Sequence, residues 1–340
     1  MSRVVINGKF LSQQTTGVQM FAHEITKQLV VKLPNIQIFC PRNASIPDWA
    51  KPHAKIVGNK SGIAWEQFEL PKALNAEDKP LLLNLCNAAP INYNNQVITL
   101  HDVAFIDHPE WFSKSFSLWY KFLIKRIVAK ARRVITVSKF SQDRIQSVYK
   151  VPNNKINIIQ NGVPSDMINL NLPKEKIIIT AGSLDPRKNL NIVINGFIEA
   201  DLSDWKLIIV GGKNASFGKV DVVNHSNIEW TGYLDRKKLI ELYNKAAIYI
   251  SASRYEGFGI PVLEAMKAGC KIMLSDIPVY RELYRDQVYY FEPDNKNEIA
   301  NLLRTFQNTT PLATNHITTI EKYSYNLSSD TFAELIQELS

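Results

Sequence analysis

Cysteine is scarce in this sequence, and long apolar runs are missing from it. The 340 residues include 3 cysteines, Cys40, Cys86 and Cys270, and none forms a Cys-x-x-Cys pair. This usage predicts a reducing compartment and argues against a disulfide scaffold or a zinc site. No run approaches the roughly 18 apolar residues of a membrane span, and the first residues lack a signal-peptide pattern. We therefore expect a soluble, cytoplasmic protein.

Other absences narrow the class of protein further. No Gly-x-Gly-x-x-Gly fingerprint follows a candidate strand, which argues against a nicotinamide dehydrogenase, and no recognised nucleic-acid motif is present. With 14 glycines, 16 prolines and 45% hydrophobic residues, the composition excludes collagen-like and disordered chains. The 40 basic residues outnumber the 32 acidic ones and give a formal charge of +8. This charge favours an anionic partner, whether nucleotide phosphate, nucleic acid or acidic membrane.

Short β-branched runs alternate with helical patterns in two series, separated by a polar stretch between Pro164 and Lys176. We predict strands at 4–6, 36–40, 81–85, 97–100, 134–137, 156–159, 177–180, 206–210, 228–231, 247–251, 271–274 and 288–291. We predict helices at 18–31, 65–74, 116–131, 140–148, from 190, at 235–245, from 261 and at 298–306. This alternation predicts an α/β fold of two doubly wound domains facing a cleft, with ligands beyond the carboxyl ends of the strands.

The loop after the strand 247–251 carries two carboxylates, Glu256 and Glu264, around a glycine turn and a helix start. The glycines allow a close backbone approach, and a helix N-terminus suits a diphosphate. Ionised carboxylates accept hydrogen bonds from sugar hydroxyls. The residues between them that we assign to the same site are Gly257, Phe258, Gly259 and Ile260.

This spacing resembles the Glu-x7-Glu motif of retaining GT-B glycosyltransferases, and glycosyltransferase family 4 (group 1) in particular. The resemblance implies two Rossmann-like domains, with Glu256 at the donor sugar and Glu264 at the nucleotide ribose. No Asp-x-Asp, the carboxylate pair that holds a metal in another glycosyltransferase class, occurs in the sequence. We therefore expect no metal and no cofactor.

A second segment, Asp185-Pro186-Arg187-Lys188-Asn189, follows the strand 177–180. Cations at a helix start oppose the helix dipole, so Arg187 and Lys188 are better explained by a bound anion. The segment is similar to the family's Pro-Arg-Lys-Asn stretch, whose basic residues neutralise the leaving diphosphate. Many relatives have an arginine where this chain has Ser183.

In the N-terminal half, His101 and Asp102 follow the strand 97–100. A lone histidine at a strand end is more often structural than catalytic. The stretch resembles the family's His-Asp-x-x-Phe segment, which implies that His101 bonds the donor and that Asp102 orients the imidazole or assists the acceptor. Gly17 matches the family's N-terminal glycine turn, near the diphosphate and the acceptor, although Thr16-Gly17 alone is a helix-start signal.

The segment 113–133 predicts a basic amphipathic helix. Its expected apolar face is Phe116, Trp119, Tyr120, Leu123 and Ile127, and its basic residues are Lys114, Lys121, Lys125 and Arg132. Such a helix either packs on the core with a solvated basic face or docks on anionic lipid.

Taken together, the resemblance implies a retaining, metal-independent glycosyltransferase of bacterial surface-polysaccharide type. It would move a hexose from a GDP-mannose, UDP-hexose or dTDP-rhamnose donor to a lipid-linked glycan in O-antigen or capsule synthesis, at or near the inner face of the plasma membrane. We predict an acceptor domain at 1–165, a donor domain at 166–325 and a terminal helix at 326–340 that crosses back. A GT-B sugar-nucleotide epimerase or a basic nucleotide- or nucleic-acid-binding protein are the alternatives, and Glu256 stays open as a nucleophile for double displacement.

Overall fold

Strands and helices alternate along the described chain. The structure is a computed structural model, and it describes residues 3–182, 185–212, 225–307 and 313–339. The strands in these ranges are β1 (Val4–Asn7), β2 (Gln37–Cys40), β3 (Ala54–Ile56), β4 (Leu81–Asn84), β5 (Gln96–Thr99), β6 (Arg133–Thr136), β7 (Ile156–Ile158), β8 (Glu175–Ala181), β9 (Lys206–Val210), β10 (Ile228–Gly232), β11 (Ala246–Ser251), β12 (Lys271–Ser275) and β13 (Tyr289–Phe291). The α-helices are α1 (Gly17–Lys32), α2 (Gly62–Ala64), α3 (Leu70–Asn75), α4 (Ala104–Asp107), α5 (Lys114–Lys130), α6 (Lys139–Tyr149), α7 (Leu190–Ala200), α8 (Arg236–Lys245), α9 (Ile260–Lys267), α10 (Pro278–Tyr284), α11 (Lys296–Phe306), α12 (Ile317–Lys322) and α13 (Tyr325–Leu339).

The chain forms two compact units. The first comprises Met1–Asp107, Ser115–Pro164 and Tyr323–Ser340, and the second comprises His108–Lys114 and Ser165–Lys322. The sequence-based boundaries at 165/166 and 325/326 therefore differ from the structural ones by one and three residues. The short segment 108–114 belongs to the second unit although it lies within the N-terminal half of the chain, which the sequence pattern did not indicate.

The first unit is built on a parallel sheet of strand order β3-β2-β1-β4-β5-β6-β7. Every residue of β1 and β4 is buried, as in sheets that are covered on both faces. Val5 of β1 pairs with Gln37 on one side and with Leu82 on the other. Because β4 follows β3 in the chain but lies beside β1, the strand order reverses there. The carboxyl ends of β1 and β4 thus form a topological switch point, where such sheets bind ligands.

The terminal helix α13 packs within this first unit. Lys32, at the end of α1, pairs with Asp330 of α13, and the Phe21 and Tyr325 rings lie 6.3 Å apart at their centroids. The backbone makes a close approach at Gly162, where a Cβ would lie 2.3 Å from the amide nitrogen of Tyr325. Only glycine fits at this crossing.

Two local features of the first unit differ from the sequence-based prediction. The edge strand β3 was not predicted, and the predicted helix 65–74 is not a regular α-helix. Residues Trp65–Glu69 form a π-helical turn between α2 and α3, with the Leu70 amide bonded to the Trp65 carbonyl. Pro71 explains the irregularity, because its ring clashes with the preceding turn of an α-helix. The wide turn directs both Trp65 and Glu66 into the interior.

The second unit is built on a parallel sheet of strand order β10-β9-β8-β11-β12-β13. Its core includes Val193 and Phe197 of α7 and Ile299 and Leu303 of α11. Gly196 allows these two helices to approach, because a Cβ there would lie 2.6 Å from the Ile299 Cγ2. In this sheet the switch point lies between β8 and β11, so the loops after these strands are where ligand-binding residues are expected.

Candidate active site

The loop between β11 and α9 holds the first carboxylate, Glu256. The structure places Glu256, Gly257 and Phe258 among buried residues, and Ile260 begins α9. Gly259 has a φ of +99°, and a Cβ there would lie 3.1 Å from the Tyr280 ring. A side chain at this position would be strained, so the sharp turn into α9 requires glycine.

Glu256 is paired with Lys188, which lies 68 residues earlier in the chain. The Lys188 Nζ lies 2.6 Å from the Glu256 Oε1, and the Ser253 hydroxyl donates to the same oxygen at 2.8 Å. Burial by itself raises the pKa of Glu256, but the attraction of Lys188 and Arg187 outweighs it and holds that pKa below its ordinary value. Glu256 is therefore an ionised carboxylate at neutral pH, able to accept hydrogen bonds from hydroxyl groups.

Neighbouring hydroxyl groups form a hydrogen-bonded chain that ends at Glu256. The Ser251 hydroxyl lies 3.2 Å from that of Ser253 and 3.1 Å from the Tyr280 hydroxyl. Ser275, at the end of β12, donates to the Ser253 carbonyl at 2.5 Å. Sequence reasoning did not identify these residues, although the ends of two neighbouring strands were the signal that could have done so.

Arg187 lies in a single 3-10 turn, Pro186–Lys188, that precedes α7. Asp185 caps this turn by accepting from the Arg187 amide, and its other oxygen lies 3.0 Å from the Arg187 Nε. The expectation that a bound anion is needed to explain these cations is thus incomplete, because Asp185 is a local counter-ion for Arg187. Ser183 lies outside the described residues.

The loops after β8 and β9 meet backbone to backbone at two glycines. A Cβ at Gly211 would lie 1.8 Å from the Gly182 carbonyl oxygen, and a Cβ at Gly182 would lie 3.3 Å from the Lys188 Cε. Both residues also have φ values, +145° and +154°, that disfavour side chains. The Lys188 side chain therefore packs against the backbone of Gly182, where no side chain intervenes. Gly211 was not singled out from the sequence.

The second carboxylate, Glu264, is buried and held by Arg236 at the start of α8. The Arg236 Nη1 lies 2.5 Å from the Glu264 Oε1, and the same guanidinium makes a two-pronged contact with Asp166 at 2.8 and 2.9 Å. Burial raises the pKa of Glu264, and the attraction of Arg236 offsets this only in part. For Arg236, burial lowers the pKa, but the hydrogen bond to Asp166 and the charge of Glu264 outweigh it and raise that pKa. Arg236 was not identified from the sequence.

The remaining predicted residues, His101, Asp102 and Gly17, lie in the first unit. The buried His101 Nε2 donates to the Leu85 carbonyl at 3.1 Å. Burial lowers the pKa of His101 despite this bond, so the ring is neutral at pH 7. Asp102 accepts from the Ala104 amide at 3.0 Å, and exposed Gly17 is the first residue of α1. Asp102 thus bonds the first residue of α4, and its charge acts to raise the pKa of the His101 imidazole. The roles assigned to His101, Asp102 and Gly17 stay predictions.

The helix α5 differs from the predicted amphipathic helix in which apolar residues it buries. Leu123 and Ile127 are buried as expected, but Phe116 and Trp119 are 38% and 39% exposed. Arg132 lies beyond the end of the helix and donates to the Leu339 carbonyl at 2.8 Å. In the ranges that the structure covers, no helix has the length and apolarity that a membrane span requires. No group of three or more potential metal ligands occurs within those ranges either.

Comparisons with known proteins show the architecture that the two units share and two family models that the sequence matches. Two Rossmann-like parallel α/β units are the architecture of GT-B glycosyltransferases. The structure superposes on that of Anabaena Alr3699/HepE in complex with UDP and glucose with a TM-score of 0.73, 17% identity and coverage of 99% of this chain and 100% of that one. A model of Glycosyltransferase Family 4 matches residues 15–166, and one of Glycosyl transferases group 1 matches residues 165–323. Together these two models match residues 15–323 of this chain, and its two parallel-sheet α/β units have the GT-B architecture.

Curated relatives include two O-antigen enzymes. The O-antigen chain mannosyltransferase RfbU of Salmonella typhimurium strain LT2 is 29% identical over 236 residues, which are 68% of this chain and 65% of the relative. The O-antigen chain mannosyltransferase B of Escherichia coli is 24% identical, with coverage of 64% and 63%. The chain thus matches a little less than two thirds of the length of each relative.

Proposed function

We propose that this chain is a retaining, metal-independent glycosyltransferase that acts in O-antigen biosynthesis. It moves a hexose from a nucleoside-diphosphate sugar to a lipid-linked glycan. The observation that carries the proposal is the Lys188–Glu256 ion pair at the switch point of the second sheet, with Glu264 buried in the helix α9 that follows. A cation for a diphosphate and two carboxylates for hydroxyl groups are what a nucleotide sugar needs.

The chemistry follows from the charges of these side chains. Glu256, ionised and buried, accepts hydrogen bonds from the donor hexose, and Glu264 accepts from the ribose. Lys188 and Arg187 stabilise the negative charge that develops on the diphosphate as the anomeric bond breaks. For retention, the acceptor oxygen bonds to the anomeric carbon on the face that the diphosphate leaves, and the departing phosphate oxygen takes the acceptor proton.

The mannosyltransferase relatives support a hexosyl donor such as GDP-mannose, and the UDP complex of Alr3699/HepE supports a nucleoside diphosphate in this fold. UDP-hexoses and dTDP-rhamnose belong to the same donor class. Through their match to the family's segments, we assign His101 to the donor and Gly17 to the diphosphate and the acceptor. We assign Asp102 to orienting the His101 imidazole or assisting the acceptor.

We further propose that α5 docks on an anionic membrane surface, which is where a lipid-linked glycan is presented. Leu118, Trp119 and Phe122 are 71%, 39% and 47% exposed, and the Arg126 guanidinium lies 3.7 Å from the Phe122 ring centroid. Lys114 and Lys125 are exposed on the same helix. Exposed aromatic residues flanked by cations are complementary to anionic lipid headgroups.

The proposed function is tested by incubating the protein with EDTA, a candidate donor and lipid-linked glycans extracted from an O-antigen-producing strain. GDP-mannose, UDP-glucose, UDP-galactose and dTDP-rhamnose are compared. We expect transfer from one of them, with a product whose anomeric configuration by NMR equals that of the donor. Inverted product, or transfer that EDTA abolishes, would contradict the mechanism. Conversion of the donor to a new nucleotide sugar without an acceptor would show an epimerase instead.

A further inference from the structure

A line of buried hydroxyl groups connects the helix α10 to the carboxylate of Glu256, and we call this line the hydroxyl chain. It runs from Tyr280 through Ser251 to Ser253, with 3.1 Å and 3.2 Å between successive oxygens, and ends 2.8 Å from the Glu256 Oε1. All four residues are between 0% and 6% exposed. Buried polar groups are costly unless each has a partner, and here every hydroxyl has one.

The charge of Glu256 sets the direction of each hydrogen bond in the chain. A carboxylate only accepts, so Ser253 donates its single proton to Glu256. Ser253 then offers only lone pairs to Ser251, so Ser251 donates to Ser253 and Tyr280 donates to Ser251. Burial and the charge of Glu256 raise the pKa of Tyr280, which keeps this phenol protonated. All three donors therefore point toward the carboxylate, and each bond polarises the next.

The hydroxyl chain occupies one of the two carboxylate oxygens. The Lys188 Nζ lies 2.6 Å from Oε1, the same oxygen that accepts from Ser253. Within the described ranges, both hydrogen bonds to Glu256 end on Oε1, so Oε2 is the oxygen that remains for a ligand hydroxyl. A side chain that two partners hold at one oxygen keeps a single orientation, which is what a binding group requires.

Neighbouring elements fix the backbone at both ends of the hydroxyl chain. The Ser275 hydroxyl, at the end of β12, donates to the Ser253 carbonyl at 2.5 Å. The Tyr290 hydroxyl, on β13, donates to the Tyr280 carbonyl at 3.0 Å. The Tyr280 ring lies against the turn into α9, where a Cβ at Gly259 would be 3.1 Å from it. The position of the Ser253 hydroxyl is therefore set independently of Glu256.

We propose that Tyr280 and Ser253 are positioning residues of the transfer reaction, because the hydroxyl chain holds Glu256 with its Oε2 free to accept from a hydroxyl group of the donor hexose. This inference rests on the proposed function, since that function places Glu256 at the donor sugar. Neither Tyr280 nor Ser253 contacts the donor in this assignment. Their effect passes through Glu256, so it belongs in kcat and not in the affinity for the nucleotide.

The first test is a double-mutant cycle of Tyr280→Phe and Ser253→Ala, with kcat for transfer and nucleoside-diphosphate affinity as the readouts. We expect Ser253→Ala to lower kcat about ten-fold or more, because it removes a hydrogen bond to a charged group, and Tyr280→Phe to lower it about three-fold. In the Ser253→Ala background, Tyr280→Phe should have no further effect, because the chain is already broken. The nucleotide affinity should stay within about two-fold throughout.

Tyr284→Phe is the matched control. Tyr284 is buried on the same helix, and its hydroxyl donates to the Gly259 carbonyl at 3.5 Å instead of joining the hydroxyl chain. We expect this variant to keep the wild-type kcat. Tyr280→Phe retains the ring that packs against Gly259, so it removes the hydroxyl without removing the packing.

The second test does not depend on transfer. The pKa of Glu256 is measured in the free full chain by NMR titration of ¹³C-labelled glutamate carboxyls, with Glu256→Gln to identify the resonance. Loss of a donor to the ionised form raises a carboxyl pKa, so we expect a higher pKa in Ser253→Ala and a smaller rise in Tyr280→Phe. Ser253→Ala retains the titratable groups that face Glu256, which are Lys188, Arg187, Tyr249 and Tyr280.

The outcomes separate this inference from the proposed function. Additive losses of kcat, a nucleotide affinity that falls together with kcat, or an equal loss in Tyr284→Phe would overturn the positioning role. An unchanged Glu256 pKa in Ser253→Ala would overturn it as well. A raised pKa in a chain that transfers no sugar from any donor would overturn the proposed function and still support the hold of the hydroxyl chain on Glu256.

Discussion

Glu256 and Glu264 are separated by seven residues and both are buried, but their surroundings shift their pKa values in opposite directions. Glu256 faces Lys188 and Arg187, and its pKa lies below the ordinary value, whereas burial prevails at Glu264 and raises its pKa. Glu256 is therefore ionised at neutral pH. At Glu264 the attraction of Arg236 is what opposes burial, so we predict that Arg236 is a positioning residue of the proposed nucleotide site.

We expect Glu256→Gln to reduce transfer by about 100-fold or more, because the carboxylate acts on the donor sugar as charge develops in the transition state. The affinity for the nucleoside diphosphate should stay within about two-fold, since Lys188 is retained. Steady-state kinetics together with nucleotide titration measure both. Transfer at the wild-type rate would remove Glu256 from the mechanism.

Arg236→Met should make nucleotide binding depend on pH. Loss of the guanidinium leaves burial unopposed, so the pKa of Glu264 rises further. Because the ribose hydroxyls bind to the ionised form, affinity is present above that pKa and is lost as the pH falls through it. The affinity of Arg236→Met should therefore recover as the pH is raised, which a merely misfolded variant would not show. The exposed neighbour variant Lys237→Met is the control, and an unchanged pH profile in Arg236→Met would contradict the role.

At the scale of elements, α5 presents two apolar stripes. The helical spacing correctly placed Leu123 and Ile127 in the core, but it assigned Phe116 and Trp119 to the same face, and the structure leaves them partly exposed. A helical wheel shows which residues share a face, but it does not show how much of that face the neighbouring elements cover. The exposed stripe, together with the exposed cations Lys114, Lys125 and Arg126 of the same helix, is what we expect to bind lipid.

We expect the double variant Trp119→Ala/Phe122→Ala to reduce co-sedimentation with vesicles that contain phosphatidylglycerol by about ten-fold. Lys125→Glu should reduce it as well, at about 1 kcal/mol per charge near the surface. Vesicles of phosphatidylcholine alone should bind weakly in every case. Lys51→Glu, at an exposed lysine outside α5, is the control. Equal binding of all variants would show that α5 does not touch the membrane.

The contact between α7 and α11 gives a prediction about stability. Gly196→Val would place its Cβ against Ile299 and force the two helices apart, at a cost of about 1–3 kcal/mol in the free energy of unfolding. Urea denaturation measures this cost, with Asn195→Ala on the exposed side of α7 as the control. A midpoint equal to that of the wild type would mean that the helices can separate freely.

The elements also show what sequence patterns can and cannot predict. The parallel strands were predictable because they are short, β-branched and buried on both faces, so that β9 was placed to the residue. The edge strand β3 was not, because three residues that include a lysine carry little signal. The π-helical turn at Trp65–Glu69 depends on how Pro71 competes with the preceding turn, and no simple periodicity expresses this competition.

At the scale of the molecule, parallel sheets bind ligands beyond the carboxyl ends of their strands. This rule predicts that residues far apart in the chain lie close together. Lys188 and Glu256 follow β8 and β11, which are neighbours in the sheet, so their proximity could be expected. Arg236 could not be expected, because it follows a solvent-facing helix cap and its partners, Asp166 and Glu264, lie on separate segments. The matches to two glycosyltransferase family models agree with the class that these motifs indicated.

The central claim is that the second unit binds a nucleoside diphosphate without metal through Lys188. The most direct measurement is a thermal-shift panel in EDTA with UDP, GDP, dTDP, ADP, CMP and NAD. A ligand at 100 times its dissociation constant should stabilise the protein by about 2.7 kcal/mol, which is a readily visible shift in Tm. We expect one nucleoside diphosphate to produce this shift and Lys188→Ala to remove it. Stabilisation by NAD alone, or by none of these ligands, would contradict the account.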